Sequence, residues 1–115
     1  MRSFVQEKSY GSVKVFWLDR ERLLQALEEK AAELLATFPE VLAVVLFGSL
    51  ARGEARPRSD VDLLVAFATP PGFEGYWRVK EFLESLLGRP VDLVMKGALK
   101  PWAVSEVLGE AVRVA

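Results

Sequence analysis

Asp60 and Asp62 stand two residues apart at the start of Val61 to Phe67, a segment that is otherwise apolar. Side chains along a strand alternate between faces, so positions i and i+2 point the same way. Two carboxylates held this way repel each other unless a cation lies between them. The cation that suits them is a hard, oxygen-seeking divalent ion. A third carboxylate, Asp92, lies in Pro90-Val91-Asp92-Leu93-Val94, which repeats the pattern of Val61-Asp62-Leu63-Leu64-Val65. If the two strands are neighbours, Asp60, Asp62 and Asp92 share one sheet face. Three carboxylates so placed can hold two metal ions, the arrangement used for in-line phosphoryl or nucleotidyl displacement.

Gly48-Ser49 follows the apolar run Val41 to Phe47. Glycine lets a phosphate approach the backbone closely, and free N–H groups at a helix start attract anions. The Ser49 hydroxyl can add a hydrogen bond. Arg52, one helical turn later, is placed to contact phosphate oxygens. The Gly-x-x-x-x-Gly-Lys pattern of a P-loop is missing. Each residue also has a plainer reading. Gly48-Ser49 alone is a turn, and Asp60 alone is a loop-to-strand cap. Asp92 alone is a solvent-facing strand residue. Arg52, Arg56 and Arg58 alone are a solvated loop face. The order and spacing of the set favour a single site.

Composition narrows the chemistry further. The 115 residues include no cysteine and no histidine. Serine–histidine and cysteine–histidine mechanisms are therefore closed, as is zinc held by nitrogen or sulfur. A bound metal must take mainly oxygen ligands, which points to Mg²⁺ or Mn²⁺. The net charge is −1, so a basic nucleic-acid face is not expected. No apolar run approaches the ~20 residues needed to span a bilayer, and the N-terminus lacks a signal-peptide core. A cytoplasmic location without membrane association is the expectation.

The elements that must position these residues are legible in outline. Ser9-Tyr10-Gly11-Ser12 reads as a turn, followed by an edge strand over Val13 to Leu18 that covers the core or makes a dimer contact. Residues 1–18 thus form an N-terminal extension, and 19–115 form the domain proper. Asp19 is the expected N-cap of a helix reaching residue 38, with Leu23, Leu24, Leu27, Ala31, Leu34, Leu35 and Phe38 on one stripe. Val41 to Phe47 and Val61 to Phe67 read as strands buried on both faces. Leu50 to Glu54 fits one helical turn, and Arg56 to Ser59 a loop. Residues 73–87 predict a second helix stopped by Gly88 and Pro90, with its aromatic residues in the core. Pro90 to Met95 predicts a third main strand. Pro101 opens a last helix, and Ala111 to Val114 fits a final short strand. The fold class is α+β, a small mixed sheet with helices packed on it.

Gly48-Ser49, ten residues, then Asp60-x-Asp62 resembles the signature of the DNA polymerase β-type nucleotidyltransferase superfamily. FGSLARGEARPRSDVDLLV, with PVDLVMKGALKP downstream, resembles the minimal nucleotidyltransferases, over roughly residues 20–114. The resemblance implies an αβαβαβ core, Asp60, Asp62 and Asp92 as catalytic metal carboxylates, and Gly48 and Ser49 on the nucleotide phosphates. It implies transfer of AMP from ATP, and a separate all-helical partner protein acting as toxin to an antitoxin. Few residues remain for an acceptor pocket, so the acceptor is expected on another chain or a dimer mate. Two rival readings differ in class. One is a module that binds metal and nucleotide without transfer, and the other a partner that neutralises a toxin by contact alone.

Overall fold

A computed structural model describes residues 4–53, 56 and 60–114. The chain runs β1 (Val5–Tyr10), β2 (Val13–Leu18), α1 (Arg20–Thr37), β3 (Val41–Phe47), α2 (Gly48–Ala51), β4 (Val61–Phe67), α3 (Phe73–Leu87), β5 (Val91–Met95), a 3-10 turn (Lys96–Ala98), α4 (Pro101–Glu110) and β6 (Val112–Arg113). Four strands form the main sheet in the order β5-β4-β3-β6, and β1 and β2 form a separate two-stranded sheet. The sheet is mixed, because β4 and β5 are parallel while β3 runs antiparallel to both β4 and β6. The parallel pair requires a crossover, and α3 supplies it.

Local signals account for most boundaries. The Asp19 carboxylate accepts from the Arg22 N–H at 3.1 Å, capping α1. Gly88 ends α3 with φ +65° and ψ +28°, the left-handed conformation glycine adopts without a Cβ penalty. Pro101 occupies the first turn of α4, where its missing N–H costs nothing.

The two faces of the main sheet differ. Val44, Leu46, Leu63, Val65, Val91 and Leu93 are buried on one face, with Leu23, Leu27 and Leu34 of α1 and Val79, Leu83 and Leu87 of α3 in the same core. Phe38 and Phe82 meet edge to face across that layer, with centroids 5.7 Å apart. The opposite face carries Ala43, Val45 and Phe47, which are only half-buried. The expectation that β3 and β4 are buried on both faces therefore holds in full for one face; on the other, Leu64 of β4 is buried while its neighbours are half-buried. The open face is where Asp62 stands.

Three other expectations change. Residues 5–10 are a strand, and Ser9 and Tyr10 belong to it. The turn is Gly11-Ser12, with Gly11 at φ +64°. A left-handed glycine at the first central position suits a two-residue hairpin loop. The helical turn expected over Leu50 to Glu54 begins earlier, at Gly48. Phe73 and Trp77 are not core residues: they are 81% and 43% exposed and stack on each other at 6.0 Å. Helical spacing put them on the stripe next to the core, but they lie past its edge. The loop over Arg56 to Ser59, except Arg56 itself, lies outside the described residues.

Candidate active site

The site is built where β3, β4 and β5 begin or end side by side. β3 ends at Phe47, and Phe47 pairs with Asp62 on β4. Asp62 in turn pairs in register with Asp92 on the parallel strand β5. In-register residues of neighbouring strands share a face, with backbones about 4.8 Å apart. The adjacency on which Asp92's inclusion depended is thus present. Asp62 is half-buried and Asp92 exposed. Asp60 is exposed and precedes β4 rather than lying within it. Among the described residues no three carboxylates are drawn into one metal-holding cluster. Asp62 and Asp92 form an in-register pair, and Asp60 directly precedes Val61, the first paired residue of β4.

Gly48 opens the α2 turn directly against Asp62. Its φ is +76°. A Cβ added there would fall inside the Asp62 carboxylate, 2.9 Å from its Cγ. Only glycine allows this turn and this carboxylate to occupy adjoining space. Ser49 is half-buried, and Leu50 and Ala51 anchor the turn in the core. Arg52 is the exposed C-cap residue of α2, and its N–H returns to the Gly48 carbonyl at 3.2 Å. Gly48 and Asp62 therefore meet at one point of the sheet, with Ser49 next along the turn, Asp92 paired beside Asp62 and Arg52 at the end of the turn.

Three residues that sequence reasoning did not single out hold this geometry. The Arg20 guanidinium donates to the Ala51 carbonyl at 2.8 Å, tying the α2 turn to α1. The Tyr76 hydroxyl donates to the Leu93 carbonyl at 2.6 Å. The Glu84 carboxylate accepts from the Val91 N–H at 2.9 Å. Tyr76 and Glu84 both belong to α3 and grip β5 on either side of Asp92. The sequence signal for them was slight: a polar atom on a helix stripe that is otherwise apolar.

A cleft of about 260 Å³ lies on the same face of the sheet. Ala43, Val45, Leu64 and Ala66 form its floor, and Lys96 and Arg113 stand among its lining residues. Leu64 follows Asp62 by two residues, so the cleft continues from the carboxylates along one strand face.

Comparison with known proteins agrees with this architecture. The nucleotidyltransferase domain family matches residues 21–114. The protein adenylyltransferase MntA of Thermococcus cleftensis is 47% identical over 74 residues, covering 64% of this chain and 75% of that protein. A solved structure assigned as a minimal nucleotidyltransferase superposes with a TM-score of 0.70 at 42% identity, covering 89% of this chain and 98% of its own. A toxin–antitoxin crystal structure with AMP-PNP superposes with a TM-score of 0.65 at 27% identity, covering 76% of this chain and 72% of that one. No described helix is long and apolar enough to cross a membrane. Matched by that family's model over residues 21–114, this chain belongs to the nucleotidyltransferase domain family.

Proposed function

We propose that this chain transfers AMP from ATP to a hydroxyl group on a separate helical partner protein, with release of pyrophosphate. The observation that carries the proposal is the contact of Gly48 with Asp62 beside the in-register Asp92. The likeness to a protein adenylyltransferase and to a toxin–antitoxin complex with AMP-PNP supports the choice of nucleotide and acceptor class.

The donors present fit a divalent metal. Asp62 and Asp92 offer carboxylate oxygens on adjoining strands, Asp60 stands at their margin, and the chain has no histidine or cysteine to favour a softer ion. Asp60, Asp62 and Asp92 would hold Mg²⁺ or Mn²⁺, which supplies charge neutralisation at the triphosphate. The protein's own residues do the rest. Gly48 and Ser49 receive the phosphates at the turn, and Arg52 offsets the charge that develops on the leaving pyrophosphate. The cleft over Leu64 and Ala66 takes the adenine ring, whose flat face packs on the apolar floor. The acceptor hydroxyl oxygen attacks the α-phosphorus, the bond from that phosphorus to the α,β-bridging oxygen breaks, and pyrophosphate departs. Asp92, exposed on the face that faces the acceptor, takes the hydroxyl proton.

The test is incubation with ATP labelled at the α-phosphate, Mg²⁺ and the product of the adjacent gene. Label is expected on that protein and not on this chain. An Asp60→Ala/Asp62→Ala variant that binds the partner but adds no label supports transfer. Labelling unchanged in that variant, or no labelling by the intact chain with the partner bound, overturns it.

A further inference from the structure

The β1–β2 hairpin lies outside the machinery described so far. Its base is anchored: Phe4 and Leu18 are buried in the core, and the Asp19 N–H donates to the Phe4 carbonyl at 2.7 Å. Beyond that base, Tyr10, Val13, Val15, Phe16 and Trp17 are all exposed. A two-stranded ribbon is marginal in water without a third strand or a packed face. The outer edge of β2 pairs with no described strand.

We infer that this edge pairs with the same edge of a second copy of the chain, giving a four-stranded sheet β1-β2-β2-β1 about a two-fold axis. The register follows from backbone geometry. Tyr10 and Val13 close the two-residue turn, so they form a hydrogen-bonded pair, and Lys8–Val15 and Gln6–Trp17 repeat it. Val13, Val15 and Trp17 therefore direct their N–H and C=O groups inward to β1. Lys14, Phe16 and Leu18 direct theirs outward, to the unpaired edge.

Two-fold antiparallel pairing on that edge has three candidate centres. Centring on Lys14 sets two like charges opposite each other, which is destabilising. Centring on Phe16 requires Leu18 of each copy, which is buried in its own core. Centring on Val15 avoids both. It sets Lys14 against Phe16 of the second copy twice, and four backbone hydrogen bonds close between them. The ammonium then lies over an aromatic ring, as Lys8 already does over Tyr10 at 5.3 Å within the hairpin. On the other face Val15 meets Val15, and Val13 meets Trp17 on either side, pairs that suit a sheet. The β1 edge is guarded by contrast. Its outward residues include Glu7, and a two-fold pairing centred on Glu7 or on Lys8 opposes like charges.

The chain has no cysteine, so a single introduced thiol reports the register. Across a non-hydrogen-bonded pair the Cα atoms lie about 4.5 Å apart, within disulfide range. Val15→Cys is expected to form a covalent dimer under mild oxidation, and Lys14→Cys is expected not to. Sedimentation equilibrium on the full chain should show a reversible dimer in the micromolar range. Val15→Lys and Val15→Asp chains should each associate at least tenfold more weakly, and an equimolar mixture of the two should recover association. That recovery separates a lost interface from a misfolded hairpin. A monomeric chain across that range, equal cross-linking through Lys14→Cys, or a mixture that stays monomeric would each overturn the inference.

Discussion

Replacing Gly48 by alanine tests the site's construction because two costs can be separated. The first is conformational. Gly48 has φ +76°, and an L-residue in the left-handed region costs roughly 1–2 kcal/mol. The second is steric. The new Cβ falls on the Asp62 carboxylate, with Cγ at 2.9 Å and Asp62 Cβ at 3.1 Å. Overpacking of this kind costs about 1–3 kcal/mol. Gly53 provides the control, with φ +74° and open space where its Cβ would stand. Gly53→Ala should therefore show the first cost alone. At roughly 4–8 °C of melting temperature per kcal/mol for a small domain, Gly53→Ala loses about 4–16 °C and Gly48→Ala roughly twice that or more. Thermal melts of both variants, alone and with Asp62→Ala, complete a double-mutant cycle. Removing the carboxylate should recover about 1 kcal/mol or more of the Gly48→Ala deficit, since residues in contact couple. Transfer to the partner should fall about 10²-fold in Gly48→Ala, the effect of misplacing a reacting group by an ångström. Equal melting losses for Gly48→Ala and Gly53→Ala would refute the close packing of turn and carboxylate.

Three further outcomes are expected. Asp62→Asn keeps the shape beside Gly48, so its stability should change by less than about 1 kcal/mol, while labelling of the partner falls at least 10²-fold. Tyr76→Phe removes the 2.6 Å bond to the Leu93 carbonyl. Chemical denaturation should then show a loss of about 1 kcal/mol, with the rate reduced through looser placement of Asp92 and nucleotide binding little changed. Ala66→Phe fills the floor of the 260 Å³ cleft; the KM for ATP should rise about tenfold or more while the melting temperature stays within a few degrees, because Ala66 is only half-buried.

The sequence carried a large part of this protein. The apolar stripe from Leu23 to Leu34 and the run from Phe73 to Leu87 specified two helices, because periodicity and stop signals are local properties. α3 matches its expected span of 73–87. The Gly48-Ser49 turn and the Asp60-x-Asp62 pair were visible for the same reason: their spacing lies within one stretch of chain. Other features depend on residues distant in sequence. Asp92 joins Asp62 only because α3 returns the chain so that β5 lies parallel to β4, in a register that no local pattern encodes. The necessity of glycine at 48 became physical only when its missing Cβ was seen to leave room for Asp62. The grip of Tyr76 and Glu84 on β5, and the exposure of Phe73 and Trp77, were likewise set by which helix face met the sheet. Local sequence determined the elements and the chemical groups they carry. Long-range packing decided which groups meet, because a strand's neighbours and a helix's buried face are chosen by the energy of the whole core.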